Sequence, residues 1–131
     1  MELADALKLF DARYASRALQ VFEGRNRRVY HLGKYVVKIP RHECGIADNE
    51  WEGSVRTSKK PNEWNLIYPP HKRLVWLDNI PVLFMQYVEH ANYSQIRERL
   101  GHVPPWVDRV DCGQVGFNKN GLLVAYDYGI R

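Results

Sequence analysis

The sequence predicts a single α+β domain whose strands pair mainly with antiparallel neighbours. Its 131 residues match the usual length of one domain, about 100–150 residues. Apolar residues make up 45% and aromatic residues 12% of the chain, which is enough to bury a core and unlike a disordered protein. An opening helical pattern then gives way to short β-branched and aromatic runs separated by turns.

The opening segment, residues 1–21, predicts an amphipathic helix. Apolar side chains recur there at intervals of three and four residues, which places them on one face of a helix. They are Leu3, Leu7, Phe10, Tyr14, Ala18 and Val21. We expect this face to pack onto the protein's own sheet rather than to bind a membrane or a partner.

The next part of the chain predicts a β-hairpin. The runs 29–32 and 35–39 are rich in β-branched and aromatic residues, and Gly33 and Lys34 between them form a two-residue turn. Pro40 ends the second strand, because proline cannot donate a hydrogen bond to a strand ladder.

One helix and two more strands complete the predicted unit at 22–88. The helix is expected in DNEWEGSVRTSKK, where Asp48 can cap the first turn and Pro61 follows the end. The two strands are expected at 73–77 and 82–88, joined by a tight turn.

Residues 89–131 predict a smaller unit that ends in a second hairpin. A short polar helix, YSQIRERLG, stops at Gly101, and the Pro-Pro pair that follows forbids a helix there. Strands are then expected at 113–117 and 122–126, on either side of the turn NKNG.

The charge of the chain permits an anionic partner. The formal net charge is +4 with a pI near 9.1, and the basic residues Arg25, Arg27 and Arg28 lie close together in GRNRR. Nucleic-acid binding is the less favoured interpretation, because the basic groups are dispersed among acidic neighbours.

Composition also bears on compartment and metals. No run approaches the roughly 20 apolar residues of a membrane span, and the N-terminus lacks the layout of a signal peptide, so we expect a cytoplasmic protein without membrane contact. Cys44 and Cys112 are expected to be free thiols. No pair of Cys or His has metal-ligand spacing, and neither zinc nor haem is expected.

Four stretches place charged residues near the ends of predicted elements: YVVKIP, DNEWEG, FMQYVE and DYG. A bound triphosphate needs a positive charge at a fixed position, and Lys38 on a strand provides one if a helix carboxylate holds it. Magnesium prefers oxygen ligands, which Asp127 can supply.

In this order the four stretches resemble the protein-kinase-like fold, reduced in length. The resemblance runs from about residue 22 to residue 129 and implies that ATP or ADP with Mg²⁺ binds in a cleft. Lys38 would contact the phosphates and Glu52 would hold Lys38, with Glu50 as the second choice. Asp127 would hold magnesium.

The resemblance also implies a roof and a hinge for this cleft. Gly24 would lie in the hairpin that covers the nucleotide. Met85 would be the gatekeeper, and the carbonyl of Gln86 and the N–H of Val88 would face adenine.

The chain departs from the family pattern at the covering hairpin. That hairpin carries three glycines in the family, whereas Phe22 and Arg27 stand where the outer two would be. The arginines there would either clamp phosphate or fill the cleft.

The catalytic loop departs further. Counting back from Asp127, Gln114 falls at the position of the magnesium-binding asparagine and Arg109 at that of the catalytic aspartate. Asp108 and Asp111 flank that position and are the candidate bases.

Three hypotheses follow. The favoured one is a kinase-like domain without competent catalysis that binds, inhibits or scaffolds a protein partner, with or without nucleotide. The chain stops two residues after Gly129, so we also expect it to lack a substrate platform, as would suit a small inhibitor encoded by a virus or mobile element. The alternatives are a small active phosphotransferase using Lys38, Asp127 and Asp108 or Asp111, and a basic nucleic-acid-binding module.

Overall fold

The computed structural model describes residues 1–54, 72–110 and 114–126. Within these ranges it contains three α-helices, one 3-10 helix and eight strands, so the predicted α+β class with antiparallel strands is confirmed. The elements follow in the order α1 (Leu3–Tyr14), β1 (Gln20–Glu23), β2 (Arg27–His31), β3 (Tyr35–Pro40), α2 (Glu43–Ser54), β4 (Lys72–Leu77), β5 (Ile80–Gln86), β6 (Glu89–His90), α3 (Tyr93–Leu100), the 3-10 helix (Pro105–Arg109), β7 (Val115–Phe117) and β8 (Leu123–Ala125).

The larger sheet has five antiparallel strands in the order β1-β2-β3-β5-β4. The predicted hairpin forms its centre, with Val29 opposite Lys38 and Tyr30 opposite Val37. Gly33 in the turn between them has a φ of 92°, a conformation that favours glycine. The two further strands predicted at 73–77 and 82–88 are present as β4 and β5, but β5 ends at Gln86, two residues before the predicted end. β5 pairs with β3 and so joins them to this hairpin.

The first helix is shorter than predicted. It ends at Tyr14, the N–H of Ala18 closes the following turn onto the carbonyl of Tyr14, and Val21 lies in β1 opposite Tyr30. The predicted helix over 1–21 is therefore wrong beyond residue 14, because pairing with β2 satisfies the backbone of 20–23 instead. Strand β1 likewise begins two residues before the predicted unit at 22–88.

Helix α1 packs on one face of the sheet and forms the first hydrophobic core. The buried residues of this core come from α1 and from three central strands. They are Ala6, Phe10, Tyr14, Tyr30, Val37, Ile39, Ile80 and Val82.

Helix α2 begins at Glu43, earlier than the predicted cap at Asp48. Asp48 lies inside the helix, where its carboxylate accepts a hydrogen bond from Asn26 at 3.2 Å. Gly45 allows the helix to start close to the sheet, because a Cβ there would overlap the Asn26 carbonyl oxygen. The remainder of the predicted helix lies outside the described residues.

The second unit, residues 89–126, has its own core. The core residues are Ala91, Ile96, Trp106, Val107, Val110, Val115, Phe117, Leu123 and Ala125. Helix α3 ends as predicted at Gly101, whose φ is 83°, and Asn92 begins it with a capping box. The final hairpin is confirmed over its described part, with Gly116 of β7 opposite Val124 of β8.

The Pro-Pro segment differs from expectation. A 3-10 helix spans Pro105–Arg109, because a proline at the first position lacks only an N–H that has no partner within the helix anyway. In the described part of the chain, no helix is long and apolar enough to cross a membrane. Cys44 is an exposed free thiol, and Cys112 lies outside the described residues.

Candidate functional site

A buried ion pair joins the sheet to helix α2. Lys38 of β3 places its Nζ 2.9 Å from Oε1 of Glu52, and both side chains are buried. Glu50, the second choice from the sequence, is exposed on another face of the helix. Glu52 is thus the carboxylate that the fold brings to Lys38.

Arg27 is a second cation on the same carboxylate. Its guanidinium donates to Oε2 of Glu52 and, at 3.0 Å, to Oδ1 of Asn49. The sequence leaves open whether this arginine clamps phosphate or fills the cleft. In the structure its side chain is buried in the cavity wall beside Lys38. Charge-assisted hydrogen bonds of this kind are about twice as strong as neutral ones.

Asn49 is a site residue that the sequence analysis missed. Its Nδ2 donates to the carbonyl oxygens of Lys38 and Pro81, each at 2.9 Å, and so ties α2 to β3 and β5. The available signal was its spacing, since a residue three positions before Glu52 shares the same helical face.

A cavity of about 450 Å³ lies between the sheet and the second unit. Six of the predicted site residues line it: Gly24, Lys38, Met85, Gln86, Val88 and Gln114. The remaining lining residues include Arg25, Arg27, Val29 and Val36 on the sheet side and His90 and Tyr126 on the other side. The volume falls within the range of about 300–1,000 Å³ typical of small-molecule sites.

The segment after β5 leaves one backbone donor at the cavity. The N–H of Tyr87 donates to the carbonyl of Lys34 at 2.9 Å, and the Tyr87 ring stacks on His31 with centroids 3.9 Å apart. Within residues 1–54, 72–110 and 114–126, the N–H of Val88 has no hydrogen-bond partner. A ligand acceptor can therefore use this donor.

The second unit meets Lys38 across the cavity. The Nζ of Lys38 donates to the carbonyl oxygen of Tyr126 at 3.0 Å. Asp127 follows directly and lies outside the described residues. The buried Oε1 of Gln114 has no hydrogen-bond partner among the described residues, so this wall offers an oxygen ligand.

The turn that covers the cavity, Gly24 to Asn26, is stabilised by the side chain of Arg41. Arg41 donates to the Gly24 carbonyl at 2.5 Å and pairs through Nε with Glu23 at 2.6 Å. The side chain of Arg25 is exposed and lines the mouth of the cavity. It forms no ion pair with any other described residue.

The structure describes one of the two candidate bases, and that one does not lie at the cavity. Asp108 is exposed on the 3-10 helix, where it accepts the hydroxyl hydrogen bond of Tyr93, and it does not line the cavity. That hydrogen bond raises the pKa of Tyr93 above its usual value. Asp111 and the side chain of Arg109 lie outside the described part of the structure.

Two of the three arginines in the basic cluster GRNRR form ion pairs within the protein. Arg28 pairs with Glu23 at 2.7 Å and lies 3.7 Å from Asp11, while Arg27 is buried against Glu52. Of these three arginines only Arg25 is exposed without an ion pair to a described residue, which leaves little of the cluster for a phosphate backbone.

Among the residues that the structure describes, no group of three or more His, Cys, Asp or Glu side chains could hold a metal ion. A scan of protein-family models and searches of curated proteins and solved structures find nothing that matches this chain. The chemistry of the cavity therefore carries the functional inference. Three cations, Arg25, Arg27 and Lys38, line it together with one carboxylate, Asp48, and an apolar wall. This lining suits an anion that has an apolar part.

Proposed function

We propose that this chain carries the nucleotide-binding part of a protein-kinase-like fold, and that it acts by binding a protein partner rather than by transferring phosphate. The observation that carries the proposal is the 2.9 Å ion pair between Lys38 and Glu52 at the wall of the 450 Å³ cavity. In protein kinases a strand lysine that contacts the phosphates is held by a helix glutamate in this way.

The cavity suggests how ATP or ADP would lie. The base would occupy the end near the Val88 N–H and the carbonyl of Gln86, with Val36 and Met85 as apolar walls. The phosphates would extend toward Lys38, beneath the turn that carries Arg25. A planar base and a phosphate chain thus each meet groups of matching chemistry.

Gln114 and Asp127 are the proposed magnesium ligands. The amide oxygen of Gln114 is buried at the cavity and lacks a protein partner among the described residues, and it is a hard oxygen of the type that Mg²⁺ accepts. Magnesium, when bound, would neutralise phosphate charge. Lys38 would contact the phosphates, and the carboxylate of Asp127 would help to hold the magnesium.

The proposed lack of catalysis rests on the candidate bases. Phosphoryl transfer is catalysed mainly by positioning and electrostatic stabilisation. The carboxylate of Asp108 is engaged by Tyr93 away from the cavity, and the family's aspartate position holds Arg109. An active phosphotransferase stays as the alternative, and transfer of labelled phosphate that is lost in Lys38→Ala would favour it.

Calorimetric titration with ATP and Mg²⁺ tests the nucleotide site. We expect saturable binding to the wild type and loss of binding in Val36→Phe, which fills the cavity from the buried face of β3. Val21→Phe is the matched control, because Val21 is exposed on β1 and does not line the cavity. Absence of binding at millimolar nucleotide, or equal binding by both variants, would contradict the proposal.

A further inference from the structure

A second depression of about 820 Å³ lies beside the end of β5. It is bounded by the starts of β3 and β4, the end of β5 and the turn between β7 and β8. We call it the basic groove and define it by its four cationic residues, Lys34, Lys72, Arg73 and Lys119.

The described charged residues that line this groove are all positive. No Asp or Glu is among the described residues that line it. Lys34, Arg73 and Lys119 are exposed, and none forms an ion pair with another described residue, whereas Arg28 and Arg41 elsewhere are paired with Glu23. Three exposed cations thus meet at one depression without a lining carboxylate among the described residues, which favours an anionic occupant.

Lys72 lines the groove with a half-buried side chain whose amine nitrogen is buried. Its pKa is lowered from 10.5 to about 8, mainly by burial; the charge of Glu52 opposes this shift and the charge of Lys38 adds to it. A carboxylate that entered the groove would stabilise the charged form of this amine. Occupation by an anion thus has a measurable consequence at one residue.

The floor of the groove is apolar. Val75, Phe84 and Met85 line it, and the rings of Phe84 and Tyr35 pack on each other at 6.3 Å with their planes tilted by 34°. Both rings are also packed against the core beneath α1, so they offer little open face for stacking nucleic-acid bases. Carboxylates together with an apolar side chain fit this surface better than a nucleic acid does.

We propose that the basic groove binds an acidic peptide segment of a partner protein, with glutamate or aspartate side chains on the three exposed cations and an apolar side chain on Val75 at the floor. This proposal rests on the proposed function as a protein-binding chain, and it does not depend on nucleotide in the cavity.

The probe is a fluorescent peptide of ten residues with six glutamates and one central leucine, measured by fluorescence anisotropy at low and physiological salt. We expect binding that weakens with salt and that falls about tenfold in Arg73→Glu/Lys119→Glu, because each reversal replaces attraction by repulsion. The matched control is Lys8→Glu/Arg97→Glu, two exposed sites on α1 and α3. Both double variants lower the formal net charge from +4 by four, to zero.

Three outcomes would overturn the proposal: no binding at millimolar peptide, equal weakening in both double variants, or tighter binding of a single-stranded oligonucleotide that the groove variant abolishes. Saturation with peptide should also raise the pKa of Lys72 above its value of about 8 in the free protein, measured by NMR. ATP binding by Arg73→Glu/Lys119→Glu should equal that of the wild type. Failure at the groove is therefore distinguishable from failure of the nucleotide site.

Discussion

Arg27 and Lys38 lie on adjacent strands and bind opposite oxygens of the single carboxylate of Glu52. One buried anion thus holds two buried cations at the inner end of the cavity, and Asn49 fixes Arg27 from the same helix. Charges removed from water are stable only while they are paired. The position of α2 and the charge of the cavity wall consequently depend on the same side chain.

Replacing Glu52 with glutamine should destabilise the fold by about 3–5 kcal/mol, because the change breaks two buried ion pairs at once. Urea denaturation followed by circular dichroism measures the change. Glu50→Gln is the control, since Glu50 is exposed on the same helix and should change stability by less than about 0.5 kcal/mol. Equal effects of the two substitutions would contradict the role given to Glu52.

Gly45→Ala should destabilise the protein, because α2 packs closely against the covering turn at this position. The added Cβ would overlap the Asn26 carbonyl oxygen and lie 2.9 Å from the Pro40 Cα, and overpacking of this kind costs about 1–3 kcal/mol. Gly53→Ala in the same helix meets only the Leu74 side chain, at 3.2 Å. Both changes gain similar helix propensity, so the difference in urea midpoint isolates the contact with the turn.

The stability of the protein should rise with pH between about 8 and 10 because of Lys72. Its pKa is about 8 in the folded chain and 10.5 in the unfolded reference, so in this interval the unfolded state binds more protons and the free energy of unfolding increases with pH. Urea midpoints at pH 7.5 and 9.5 measure the increase. In Lys72→Met the increase should be smaller, and an unchanged increase would exclude Lys72 as its source.

Arg25→Ala should weaken the binding of ATP by about three- to tenfold and leave the binding of adenosine unchanged. Arg25 lines the mouth of the cavity and forms no ion pair with a described residue, so its charge is free to meet a phosphate at a cost typical of one exposed contact. Arg28→Ala is the control, because Arg28 is held by Glu23 outside the cavity. If adenosine binding fell equally, Arg25 would be shaping the cavity rather than contacting phosphate.

The sequence predicts the central hairpins well because their signals are local. The Gly33 turn, the β-branched runs beside it and the Gly101 helix end each specify geometry within a few residues. Helix α1 is overestimated at its end, since the apolar spacing continues to Val21 although strand pairing with β2 decides the conformation there.

The site is predictable in part for a related reason. Lys38 and Glu52 are recognisable from an ordered set of motifs, and the structure brings them together. The burial of Arg27 and the two backbone contacts of Asn49 depend on residues 11 to 32 positions away. No local pattern records such contacts, which exist only once the sheet and α2 have packed.

The two hydrophobic cores have a mechanical consequence. Among the described residues, their connections across the cavity include the chain at Tyr87 and Val88 and the hydrogen bond from Lys38 to Tyr126. A change in the angle between the two cores would widen or narrow the space. A molecule that touches both walls would act as a crosslink. Amide hydrogen exchange should then slow in α1 and in β8 together on ligand addition, although neither element lines the cavity.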